Sequence, residues 1–169
     1  MAVPATYSHA QIAAHWLIAA LVGFEILFSD IAEERWAARM QGDIENVPMP
    51  NPHAIVGVLV LGLTVWRLGL RLARGVPPPP AGEHPLAALA ARCVYLAFYV
   101  LLFAVPISGF TAWWLGIPAP AQLHGLIADL LIGLILVHAG AALAHQFWFR
   151  TDVLRRMLPR RPTRRHARW

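Results

Sequence analysis

Lysine is absent from the chain, and all fourteen basic residues are arginine. Charged residues of both signs make up only 14% of the 169 residues, where an ordinary soluble domain carries about one quarter. With 58% apolar residues and a positive mean hydropathy, so small a charge complement excludes a disordered chain. It equally excludes a cytosolic enzyme with a water-facing shell. A single cysteine, Cys93, excludes an internal disulfide. Residues 1–11 contain neither Lys nor Arg, so no removable signal peptide is expected. Alternation of period two is missing, which argues against an outer-membrane barrel, and no internal repeat is present.

What the chain does contain is four apolar runs of about 20 residues each, the length that crosses a bilayer as a helix. They cover residues 12–28 with Glu25 inside, 54–72 with Arg67 and Arg71 near its end, 93–115 without a charge, and 126–149 with Asp129 inside. Backbone amides in hydrocarbon need internal partners, so runs of this length become helices. The connections agree. Residues 30–51 are polar and end in a proline-rich stretch, Val47 to Pro52, which reads as a loop. Residues 74–85 hold Pro77–Pro80, a stiff extended linker. Residues 116–122, with Pro118 and Pro120, form a short turn between antiparallel neighbours. The expected architecture is an all-α integral membrane protein, a four-transmembrane-helix bundle over residues 1–149 followed by a basic tail, 150–169.

Arginine placement gives the orientation. Arg67, Arg71, Arg74 and Arg92 flank the middle connection, and the tail holds Arg150, Arg155, Arg156, Arg160, Arg161, Arg164, Arg165 and Arg168. The first connection sets five acids (Asp30, Glu33, Glu34, Asp43, Glu45) against Arg35 and Arg39, a net charge of minus three. The positive-inside rule then puts both termini and the middle connection in the cytoplasm. The basic tail reads as a topology signal that touches anionic lipid, not as a nucleic-acid binder.

Eight histidines in so apolar a chain call for an explanation. His9, His84 and His166 fall in termini or connections, where a solvated role is the default. His15, His53, His124, His138 and His145 fall in or at the ends of the spans, where ionisable groups are costly and usually functional. His124 and His138 are 14 residues apart, which places them on one helix face about 21 Å apart along the axis. His145 shares that face seven residues further on. His53 and His124 open the second and fourth helices at the same outer level and can meet there. On a core of about 30 Å, His15 lies some 25 Å below that level, His138 about 21 Å and His145 about 31 Å. Depth alone does not separate the last two as partners of His15; His138 is nearer and better buried, and is assigned to it.

Two facing imidazoles suit a metal with two open axial positions, and iron protoporphyrin is the group that offers them. Zinc would call for four ligands, and no C-x-x-C-H run is present for covalent attachment. Gly57 and Gly125, next to the ligands, leave room for a porphyrin face. Arg67, 14 residues after His53, projects from the same face and can pair with a propionate, as Arg71 can at the rim; both also suit snorkelling topology arginines. His145 lies one step further toward the cytoplasmic interface, with Ser8 and Trp148 nearby.

The chain resembles the small bacterial cytochrome b561 proteins, which include a superoxide oxidase type. The resemblance rests on Ser8–Leu17, His53–Gly57 with Trp66–Arg71, Tyr95, Pro106–Gly109, and His124, His138 and His145 followed by Asp152–Met157. It implies a four-helix bundle in the bacterial inner membrane with two non-covalent b-type haems. The axial roles fall on His15 with His138 and on His53 with His124. It also implies electron exchange with membrane ubiquinone and, for one type, oxidation of superoxide at the periplasmic side; His145, at the depth of a lipid-soluble headgroup, is then the candidate for hydrogen-bonding and protonating the quinone. Two features depart from relatives. Some carry a histidine where this chain reads Ala90-Ala91-Arg92-Cys93, and the outer connection is net acidic, although a surface that captures an anion should be positive. Two other functions fit less of the sequence: a haem-bearing membrane anchor for a peripheral oxidoreductase, and a non-haem transporter or receptor, which leaves the aligned histidines without a purpose.

Overall fold

A computed structural model describes residue 4 and residues 6–43, 51–78 and 85–158. Helix α1 spans His9–Leu27, α2 Ser29–Met40, α3 Pro52–Arg74, α4 Pro85–Leu115 and α5 Pro118–Phe147, and a 3-10 turn follows at Arg155–Met157. No strand occurs among the described residues. Four of the helices, α1, α3, α4 and α5, are long and apolar enough to cross a membrane. His84, His166, Glu45, Pro79, Pro80 and the tail arginines from Arg160 onward lie outside the described residues.

Side-chain caps start α1 and α3. Ser8 caps α1 by accepting from the Gln11 amide, while Gln11 Oε1 accepts from the Ser8 amide at 2.9 Å, a reciprocal capping box. Asn51 Oδ1 caps α3 by accepting from the His53 amide at 3.1 Å, and Pro52 occupies the first turn. Gly75, at φ 69°, ends α3 in the left-handed region that favours glycine.

Three elements differ from the sequence expectation. The polar stretch after the first span is not all loop: Ser29–Met40 is helical. Its Ala, Glu, Arg and Met residues are good helix formers, and Asp30 in the first turn and Arg39 in the last complement the helix dipole. The turn expected over 116–122 shrinks to Gly116 and Ile117, because Pro118 opens α5 at a position where proline's missing N–H costs nothing. Helix α4 likewise begins eight residues before the apolar run, at Pro85. His124 consequently lies inside α5 and does not open it.

Helix α1 packs on α3, α3 on α4 and α4 on α5, and α2 touches α1. Helix α5 has no comparably close backbone packing on α1 or α3 among the described residues; histidine rings reach across that gap instead. Few side chains are fully buried (Ile12, Ala14, Ile18, Val60, Ala112 and Leu131 form the apolar set), as suits helices whose outer faces meet lipid. The start of α1 is tied to the end of α3 by Gln11 Nε2 donating to the Gly75 carbonyl at 3.0 Å. Trp16 Nε1 donates to Met157 O at 2.7 Å, and Arg156 Nη1 to Pro78 O at 2.8 Å. The Asp152–Arg156 ion pair staples this turn, and the guanidinium holds the Asp152 carboxyl below its usual range. This region is the basic end of the bundle; the opposite one is the α2 end.

Candidate functional site: two facing histidine pairs

At the α2 end, the cap at Asn51 fixes His53 in the first turn of α3, and Arg35 of α2 donates to the same Asn51 oxygen at 3.5 Å. The His53 ring stands opposite that of His124, with centroids 5.8 Å apart and planes at 86°. His53 Nδ1 contacts the carboxylate of Glu25 on α1. His124 Nδ1–H donates to the Val105 carbonyl at 2.8 Å, with Ser108 Oγ at 3.5 Å. Both rings thus commit Nδ1 to an acceptor, which leaves each Nε2 lone pair free. A Cβ at Gly109 would stand 2.9 Å from the His124 ring, so α4 can carry no side chain there.

At the basic end, His15 of α1 faces His138 of α5 with centroids 6.3 Å apart and planes at 82°. Phe98 of α4 packs edge-on against His138 at 5.2 Å. Arg67 of α3 is within electrostatic reach of both imidazoles, and its Nη1 is buried with no acceptor among the described residues. An unpaired buried guanidinium nitrogen is costly, and it invites an anion.

The other sequence candidates lie elsewhere. His145 Nδ1 meets Thr151 Oγ1 at 3.1 Å, and its ring packs on Phe149. Because that hydroxyl donates to the His145 carbonyl, it accepts from Nδ1–H and leaves Nε2 free. Arg71 lies over the Tyr95 ring, 5.4 Å from its centroid. His9 is exposed. Gly57 faces Pro106 at ordinary contact distance, and a Cβ at Gly125 would meet no protein atom within 4 Å, which is compatible with room for a porphyrin face there; the close protein contact is at Gly109. Glu25 and Gly109 are the residues that sequence reasoning left without a role. For Glu25 the signal was there, as a lone acid inside a span. For Gly109 only the α4–α5 contact reveals it.

The pairs fit one kind of group. Two iron–imidazole bonds of about 2 Å each, plus the inner halves of both rings, put axial imidazole centroids roughly 6 Å apart. The two observed separations bracket that value. No cluster of three or more His, Cys, Asp or Glu that could hold a metal occurs among the described residues, and haem iron needs only two.

A family model described as prokaryotic cytochrome b561 matches residues 6–160. The chain belongs to that family. It is 38% identical over 153 residues to cytochrome b562 of Cereibacter sphaeroides, covering 90% of this chain and 94% of that protein. It is 30% identical over 178 residues to cytochrome b561 homolog 2 of Escherichia coli, covering 92% of each. It is 28% identical over 176 residues to the probable superoxide oxidase CybB of Yersinia pestis, covering 92% and 97%. This cytochrome b561 family member is therefore a haem b-binding membrane electron-transfer protein.

Proposed function

We propose that the protein holds two haem b groups, one between His53 and His124 and one between His15 and His138, and carries electrons between a membrane quinone and a partner at the α2 end. The observation that supports this reading most is the repetition of one geometry, two opposed imidazoles at bonding separation, at two depths of the bundle. The haems supply reversible one-electron chemistry. The chain orients their ligands through Glu25 and Val105, offers Arg67 Nη1 to a propionate, and keeps water out with apolar helices. The arginines of the basic end support a cytoplasmic position for it, in a bacterial inner membrane.

The quinone reading rests on a cavity of about 340 Å³ at the basic end, lined in part by Tyr7, Ser8, His9, Gln11 and Arg74. It shares His9 and Ile12 with an apolar groove running over Ala13 and Trp16, a polar seat beside an apolar track that suits a quinone head and its isoprenoid tail. Burial raises the Tyr7 phenol above its usual range, so it remains a hydrogen-bond donor at neutral pH. His145 stands at the same end of the bundle, and its free Nε2 is the nitrogen suited to proton delivery. Its replacement by alanine is expected to leave both haems and to lower quinone turnover about tenfold or more, the low end of general acid catalysis. Unchanged turnover and quinone affinity would remove His145 from the site.

At the α2 end, Asp30, Glu33 and Glu34 are exposed while Arg35 and Arg39 turn inward. Arg39 lies over the Trp113 ring, and its buried Nε has no hydrogen-bond partner among the described residues. The acidic side chains of this segment therefore face solvent while its arginines pack on Asn51 and Trp113, positive charge within the bundle that supports an anionic donor such as superoxide. Two superoxide anions would each give up one electron to leave two O2, and the two electrons with two protons would convert a quinone to its quinol. Pyridine haemochrome analysis of the purified protein is expected to give two haem b per chain and no c-type signal. Anaerobic mixing with quinol and, separately, superoxide assays then test the two partners. A haem-free preparation from haem-replete cells would overturn the reading.

A further inference from the structure

Glu25 is the one acid in α1, and it contacts His53 Nδ1 on α3. Both carboxylate oxygens are shut off from solvent, and neither is hydrogen-bonded to any other group among the described residues. Glu25 also acts electrostatically on His124 across the pair. At the basic end the charged side chain acting on His15 and His138 is a cation, Arg67. The two pairs match in ring separation and crossing angle, yet one has an anion beside it and the other a cation.

We propose that Glu25 is a positioning residue for His53: by accepting its Nδ1–H it fixes Nε2 as the nitrogen that faces iron, and its negative charge holds the α2-end haem at a lower reduction potential than the basic-end haem. Ferric haem carries one more positive charge than ferrous, so a neighbouring carboxylate in a low-dielectric site favours the oxidised state. A carboxylate behind an imidazole also makes the ring a stronger ligand, with the same sign of effect. Electrons entering at the α2 end then run downhill to the basic end, where the polar cavity lies. The inference rests on the di-haem reading above.

The test is anaerobic spectroelectrochemical titration of wild-type, Glu25→Gln and Glu25→Asp proteins, with haem content measured alongside. The component missing from His53→Ala protein marks the α2-end haem. Glu25→Gln keeps an acceptor oxygen but removes the charge. It is expected to shift the α2-end one-electron equilibrium toward ferrous at least tenfold, a rise of about 59 mV, and to leave the other component in place. Glu25→Asp, which keeps the charge, should return at least half of that shift. Glu25→Gln protein with two haems and an unmoved α2-end potential overturns the proposal, and so does an equal shift of both components. If Glu25→Gln loses the α2-end haem, its retention in Glu25→Asp supports the proposal, and loss in both variants makes Glu25 a packing residue and overturns it. Wild-type protein lacking either haem would overturn the di-haem reading instead.

Discussion

Replacement of His138 by alanine is expected to leave the purified protein with one haem per chain, the surviving one at the α2 end. Among the described residues His138 supplies the only imidazole facing His15 across the gap between α1 and α5, at 6.3 Å between centroids. A methyl group in its place offers no lone pair, and the buried Arg67 Nη1 alone cannot hold a macrocycle. His15→Ala should lose the same haem, so the double variant should lose no more than either single one. Two changes that remove one bound group are non-additive in this way. His53→Ala combined with His138→Ala should lose both haems, because the proposed ligation assigns those side chains to separate sites. His145→Ala should retain both, since its ring is engaged with Thr151 and Phe149. Haem per polypeptide, read by pyridine haemochrome with the retained bands, checks all five proteins. Loss of a haem in His145→Ala with retention in His138→Ala would reverse the assignment of the basic-end pair.

The contrast between His138 and His145 marks how far the sequence could be read. Helical period puts both on one face of α5, seven residues apart, and neither hydropathy nor depth distinguishes them. The α1 side decides it, because Ser8 and Gln11 fix where that helix begins and thereby set the level of His15. The four spans were legible because hydrocarbon imposes long apolar runs. Helix α2 was not, since its polar residues carry no such run and its helicity comes from propensity and end charges. The early start of α5 was hidden by Pro118 and Pro120, which read as turn residues and are equally at home in a first helical turn. Contacts that depend on lateral packing, Glu25 with His53 and His124 with the α4 backbone, leave no periodic trace. A lone acid in a span announces that it needs a partner, but not which one.

Gly109 gives the most demanding test of that lateral packing. Its α4 backbone lies so close to α5 that a Cβ would sit 2.9 Å from both Cε1 and Nδ1 of His124, closer than a methyl group and an imidazole can approach. The ring must then tilt or the helices separate, and either change disturbs the 2.8 Å hydrogen bond from Nδ1–H to Val105 O. Loss of that bond costs on the order of 1 kcal/mol, and the Nε2 it aims is displaced at the same time. Gly109→Ala is therefore expected to reduce α2-end haem occupancy well below one while the basic-end haem stays near full occupancy. Gly57 serves as a control on the same chain. Gly57→Ala meets only Pro106 Cβ at 3.9 Å among the described protein atoms. It should keep two haems and stabilise its helix by up to about 1 kcal/mol. Haem content measured against thermal stability separates local misalignment from general unfolding. Full α2-end occupancy in Gly109→Ala would mean that the α4–α5 spacing can relax, and that His124 is aimed by something other than the α4 backbone.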